Sequence, residues 1–342
     1  MADDDQFGIR DVRCRKGSVA RGFLKVGETL AGPVEIPIVI VHGQGDGPVL
    51  CLTAGVHATE YPPIEAMFRL LHGLDPAKLR GTIIAVPIVN MHMFAARHGF
   101  TSPIDGVNLN KIAPGGDGSI TELVAKTLLD EVVTRAQYHI DLHGGDFGEM
   151  LWAYGGYSLT GNATLDEQGE ALARLLTPGM ICLSPEDSLL PPVPGFLTYA
   201  ATRRGVVSIL SESGGNGTLE EVDVQVHVKG VQNILRYLGM IEGTPVIPGP
   251  QIKAKDRAVT RAKRSGLVRL KVAVGDVVPD GGVVAEICDI FGETVETVRV
   301  ARGGTAGLVW AHKAVNTGDP IVRCWTTEPA PPFALTDKYI QR

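Results

Sequence analysis

The stretch "VLCLTAGVHATEYPPIEAMFRLLHGL" (residues 49–74) carries the fold in outline. Residues 49–55 form a continuous apolar run closed by Gly55, the pattern of a strand covered on both faces. From Pro62 and Pro63 onward the apolar residues recur at helical spacing, and proline suits the first helical turn. Between strand and helix stand His57 and Glu60, three apart. Open α/β sheets bind their ligands there, beyond the carboxyl ends of the strands. An HxxE pair alone is a weak signal, and a capped helix start with a stray histidine is the plain alternative.

Working outward, residues 17–48 read as short strands with a turn at "QGDGP" (44–48). "GTIIAVPIVN" (81–90) is another buried strand, and "SITELVAKTLLDEVVTRA" (119–136) an amphipathic helix with a Ser119–Glu122 capping box. "YHIDLHGG" (138–145) and "VVSILSESGG" (206–215) are strands running into glycine loops, and 222–240 reads as a helix despite its β-branched residues. Strands alternating with helices give an α/β layer structure. After "IEGTPVIPGPQ" (241–251) only short strands follow, so we expect a boundary between an α/β domain, 1–243, and a β-rich domain, 244–342. The tail has a weak internal echo of a lipoyl- or biotinyl-like barrel. Its candidate carrier hairpin, 288–299, lacks the lysine such carriers need, so the tail reads as structural or as one wall of an active site.

The candidate chemistry sits at the strand ends. In "HIDLHGGD" (139–146), strand alternation puts 139, 141 and 143 on one face, with His143 last before two glycines. His139 lies deeper and reads as a core residue, while Asp141 is placed to orient a ligand histidine. His57, Glu60 and His143 make a His₂Glu set of the kind that holds catalytic zinc, one ion per chain, with a position left for water. Glu212, after the next apolar run, is the candidate base. The Gly/Pro/Asn-rich segment 90–116 reads as a long loop of functional character and contains Arg97, Asn110 and Lys111. His92, His98 and "YGGYSLTGN" (154–162) are weaker candidates for substrate contact, as is "PPVPGF" (191–196). His42 reads as a core or surface residue.

In this order, "AGVHATE", "NMHMFAARHGF", "DGVNLNK", "HIDLHGGD" and "SESGG" resemble the succinylglutamate desuccinylase/aspartoacylase family of zinc carboxypeptidase-like deacylases, over about residues 13–330. The resemblance implies a mixed sheet flanked by helices and a zinc-dependent amidohydrolase that acts on a small N-acyl amino acid. It implies metal ligands at His57, Glu60 and His143, a catalytic glutamate at Glu212 and a carbonyl-polarising arginine at Arg97. The family's substrate-carboxylate pair, Asn-Arg, falls on Asn110 and Lys111. Two departures stand out. Ala58-Thr59 replaces the frequent Gly-Asp inside HxxE, and Lys111 replaces an arginine. Lysine is a flexible point charge where arginine is a planar fork, so the substrate class need not be either of the family's namesakes. A carboxypeptidase-like peptidase, an esterase, and a binding or carrier module with an inactive hydrolase domain are the competing expectations.

The totals fit this reading. The 342 residues are 44% apolar and 20% charged, with net charge −6 and no long basic run, which argues against a nucleic-acid partner. Five scattered cysteines without CxxC argue against a disulfide framework and for a reducing, cytoplasmic setting. The acidic N-terminus lacks an apolar signal region, and no run is long enough to span a membrane. The expected partner is a small N-acyl molecule, with a homo-oligomer left open.

Overall fold

The computed structural model describes residues 5–177, 179–183 and 195–335. Most of "PPVPGF" therefore lies outside the described residues. Among them, one large sheet forms the spine. Its inner strands are Gly32–His42, Arg80–Val86, Gly45–Ala54, Tyr138–His143, Val207–Glu212, Tyr154–Tyr157 and Met180–Leu183, in that spatial order. Four of them, Arg80–Val86, Gly45–Ala54, Tyr138–His143 and Val207–Glu212, run parallel, so their carboxyl ends share one edge. Both faces are covered. Leu50, Leu52, Ala54, Ile140, Leu142 and Ile209 pack under the helices Tyr61–Gly73, Ala163–Leu176 and Glu221–Tyr237. Cys51, Ile84 and Val86 point the other way, toward Val124, Leu128 and Leu197. This two-sided burial is why these strands read as unbroken apolar runs.

Several expectations are met and several are corrected. The helix Glu221–Tyr237 forms despite its valines because Val224, Val231, Ile234 and Leu235 are buried along one stripe. Ser119 caps Ile120–Thr127 by accepting the Glu122 N–H, and the chain then winds into a π turn at Leu128–Val132. The strands within 17–48 are long, not short: Ser18–Thr29 and Gly32–His42 pair along nearly their whole length. The expected turn at 44–48 is corrected, because the chain reverses at Gly43–Gln44 and Gly45 already begins a strand. Residues 154–157 form a strand antiparallel to Val207–Glu212.

The barrel expected at the carboxyl-terminal end does not close. Ile252–Arg261 adds parallel to Met180–Leu183, and Pro320–Pro329, Gly304–Trp310 and Val277–Val278 follow, so these strands extend the main sheet. Thr294–Arg299, Val283–Cys288, Gly266–Leu270 and Ala314–Val315 form a separate four-stranded sheet. Val268, Ile287, Val298, Val322 and Cys324 fill the space between the two. Capping an exposed sheet edge satisfies a row of backbone groups that a closed barrel would leave unpaired on its neighbour. Cys14, Cys51, Cys288 and Cys324 are buried free thiols. No helix among the described residues is long and apolar enough to cross a membrane.

Glycine is required where the extension meets the rest. A Cβ on Gly307 would lie 1.2 Å from Trp325 Cε3, so the indole rests directly on the Gly307 backbone. Gly307→Ala is expected to destabilise the protein by about 1–3 kcal/mol through overpacking. Urea unfolding measures it, and an unchanged midpoint would contradict this packing.

Candidate metal centre

Gly55 ends its strand at φ +66, a left-handed turn that a Cβ would crowd against Ile88 Cα at 3.0 Å. The chain then folds back so that His57 and Glu60 overhang the sheet edge. His143 arrives as the last residue of the adjacent strand. The three side chains are buried, and one ligand atom from each lies within 4.8 Å of the others. His57 Nδ1 is 2.9 Å from Glu60 Oε1, and His143 Nδ1 is 3.0 Å from Glu60 Oε2.

The far nitrogens fix the protonation of both rings. Asn108 Oδ1 already accepts the Asn110 N–H at 2.9 Å, so it is an acceptor, and His57 Nε2 must donate to it at 3.1 Å. His143 Nε2 likewise donates to the Asp141 carboxylate at 3.1 Å. With both Nε2 atoms protonated, neutral rings would turn bare Nδ1 lone pairs toward the Glu60 carboxylate, which is repulsive. Only two arrangements satisfy the cluster: a second proton on each ring, or a cation shared by both Nδ1 atoms and Glu60. Two protons and one divalent ion carry the same charge, so the donor set fits such an ion, and the hydrogen-bonded far nitrogens are the usual partners of metal-binding histidines.

The electrostatics agree. Burial disfavours a charged His143, but Asp141 and Glu60 outweigh it, and its pKa is raised well above the ordinary value. Burial also opposes His57, where Glu60 again reverses the sign and the pKa is raised. Burial would push Glu60 upward, but the two imidazoliums hold it down to about 2.

Behind His143 the polar chain continues into the sheet. Thr53 Oγ1 donates to Asp141 Oδ1 at 2.5 Å, so it must accept from His139 Nε2 at 2.9 Å, leaving His139 Nδ1 to accept from Ser208 Oγ at 2.8 Å. Burial drives the His139 pKa down to about 4, so this ring is neutral, a core residue that sets the direction of the chain.

The base candidate lies next to this. Register pairs Glu212 with His143 on one side and with Tyr154 on the other. Tyr154 Oη donates to Glu212 Oε1 at 3.4 Å, while Oε2 is buried and has no hydrogen-bond partner among the described residues. Burial, then the nearby Glu60 charge, raises the Glu212 pKa well above the carboxylate range.

Of the remaining sequence candidates, Arg97 is exposed at the left-handed carboxyl cap of Met91–Ala96. Asn110 is buried and its Oδ1 accepts the Leu197 N–H at 3.3 Å, while Lys111 is exposed with its Nζ 4.5 Å from the Phe196 ring centroid. His98 is exposed and donates to the Thr101 carbonyl, and His42 bonds Thr82, its register partner on the adjacent strand. Sequence reasoning missed Asn108 and Asp146. Asp146 is fully buried and accepts from Thr59 Oγ1, from the Phe100 N–H at 2.6 Å and from the Phe147 N–H at 2.6 Å. It ties the HxxE turn to the Arg97 loop, and Phe100 meets the His57 ring at 5.8 Å. The threonine inside HxxE, with an aspartate after the His143 glycines, was the available signal.

Because metal and protons compete for the two Nδ1 atoms, affinity for a divalent ion is expected to fall as pH drops, with about two protons released per ion near neutrality. Calorimetry in buffers of different ionisation enthalpy counts them, and zero release would contradict the exchange. Asp141→Asn should weaken metal binding about 10- to 100-fold by loosening the His143 ring. Competition against a chelator measures this, and unchanged affinity would remove Asp141 from that role.

Comparison with known proteins agrees with the geometry. Residues 46–238 match the family profile of the succinylglutamate desuccinylase/aspartoacylase catalytic domain. The N-alpha-acetyl-L-2,4-diaminobutyric acid deacetylase of Halomonas elongata is 30% identical over 315 residues, 89% of this chain and 90% of that protein. A succinylglutamate desuccinylase/aspartoacylase from Rhodobacter sphaeroides superposes with a TM-score of 0.80 at 25% identity, covering 91% of this chain and 96% of the other. The product-bound ectoine utilization protein EutE (DoeB) from Ruegeria pomeroyi shares the fold, with a TM-score of 0.82 at 24% identity over 90% of this chain and 95% of that chain. With more than half its length under the family profile, the chain belongs to the succinylglutamate desuccinylase/aspartoacylase family.

Proposed function

We propose that this protein is a zinc-dependent deacylase that hydrolyses the amide bond of a small N-acyl amino acid, with one ion held by His57, Glu60 and His143. The observation that carries the reading is the donor set itself: two imidazole Nδ1 atoms and one carboxylate, buried at a sheet edge beside an unpaired Glu212 oxygen. The diaminobutyrate deacetylase from Halomonas elongata, at 30% identity, supports an N-acetylated amino acid as the substrate class. A zinc ion held there would supply Lewis acidity, polarising an acyl carbonyl and lowering the pKa of a water to about 7.

The chain's own groups do the rest. Glu212 Oε2, lacking a partner, takes the proton from the attacking water as that water adds to the acyl carbon. Its raised pKa keeps the acquired proton available, and Glu212 then delivers it to the departing amine nitrogen. Tyr154 holds the other carboxylate oxygen and so aims the base. Arg97 stabilises the oxyanion from the loop that Asp146 anchors through Phe100, a placement supported by the Phe100–His57 ring contact. Asn110 and Lys111 border the substrate side, and Lys111 adds positive charge there. Residues 1–243 supply ligands and base, and residues 244–342 form one wall.

Glu212→Gln should keep its zinc and lose about 10²–10⁴-fold in kcat. The assay is amine release from a panel of N-acetyl, N-succinyl and N-formyl amino acids, including N-acetyl-2,4-diaminobutyrate. Near-normal turnover by the variant would remove Glu212 from the mechanism. A zinc-loaded wild type that cleaves no member of the panel would overturn the deacylase reading.

A further inference from the structure

The carboxyl-terminal strands bring an unpaired guanidinium to the wall beside the base. Pro320–Pro329 pairs with Ile252–Arg261 so that Arg323 faces Val259 and Trp325 faces Arg257. Alternation sends Val322 and Cys324 into the core between the two sheets, and Arg323 and Trp325 to the opposite face. On that face the Trp325 ring lies 5.8 Å from Tyr154, the residue whose hydroxyl reaches Glu212. The Arg323 guanidinium stacks over Trp310 at 5.5 Å, and Trp310 pairs with Glu149, three residues beyond Asp146. Arg323 is thus tied to the catalytic edge from two sides.

Its Nε is buried and has no hydrogen-bond partner among the described residues. Among the described residues neither Arg323 nor Arg257 makes an ion pair, although Glu149 and Glu212 lie within electrostatic range of Arg323. Arg257 and Lys111 also lie within range, so three like charges stand near one another. Partly burying a cation and leaving a donor unpaired is unfavourable unless an anion completes the site. A guanidinium whose plane is fixed by an indole offers a flat fork that matches a carboxylate at two points, which an ammonium cannot do.

We propose that Arg323, with Arg257 alongside, receives the carboxylate of the N-acyl amino acid, so that the carboxyl-terminal strands rather than the Asn110–Lys111 turn set the preference for an anionic substrate. The assignment rests on the deacylase reading.

The test compares each N-acyl amino acid with its own carboxamide, which keeps the scissile bond and removes the charge. Wild type should favour the acid by about 10- to 100-fold in kcat/KM, the size expected for a charge-assisted pair. Arg323→Gln should bring that ratio toward one, chiefly through KM, and Arg323→Lys should restore part of it. Lys111→Gln should lower the ratio much less than Arg323→Gln does. If Arg323→Gln lowers acid and carboxamide equally, Arg323 only supports the wall and the proposal fails. It also fails if Lys111→Gln is the change that erases the ratio, or if wild type cleaves acid and carboxamide alike. In each of those outcomes hydrolysis persists, so the deacylase reading stands. Absence of hydrolysis by wild type overturns both.

Discussion

The Glu60 carboxylate is held between two imidazoles whose outer nitrogens are already committed. This constraint organises the rest of the site. Asn108 and Asp141 accept from the outer nitrogens, so the inner pair must face Glu60 either with added protons or with a shared cation. Burial makes any third arrangement costly, since an uncompensated charge or an opposed pair of acceptors has no water to relieve it. The polar chain reaches back through Thr53 and His139 to Ser208, so its direction is set by residues on three neighbouring strands.

Sheet register converts that chain into a working edge. Cys51 pairs with His139 and Thr53 with Asp141 on one side, and His143 pairs with Glu212 on the other, which in turn faces Tyr154. The candidate ligand His143, the proposed base Glu212 and Tyr154 therefore sit in one row across three strands. A slip by one residue in any of these pairings would turn the polar set into the opposite apolar layer, where Ile140, Leu142 and Ile209 now pack. The hydrophobic pattern that drives folding is in this way also what positions the chemistry.

Much of this was legible in the sequence, for a local reason. His57, Glu60, His143 and Glu212 each follow an apolar run at a glycine-marked strand end, and a strand end needs only a few residues to declare itself. The family resemblance then supplied the roles. Asn108 and Asp146 were harder to read, because their importance lies in partners 51 and 87 residues away, His57 and Thr59. Arg323 looked like any charge in a short strand until Trp310, Trp325 and Tyr154 were brought around it. The barrel expectation failed for a similar reason. The tail's short strands were read as a self-contained unit, but nothing local revealed that Ile252–Arg261 would find its partner in Met180–Leu183. The turn expected at 44–48 shows the limit of composition: glycine and proline permit reversal, but pairing with Arg80–Val86 made that segment extend.

The joining of Ile252–Arg261 to Met180–Leu183 has a mechanical consequence. Backbone ladders are stiff against rotation about the seam, and swinging the tail away as a flap would tear a row of main-chain bonds in one step. The wall bearing Arg323 is accordingly a fixed jaw. A substrate reaching Arg323 would meet a surface set when the chain folded, not one that swings in to meet it.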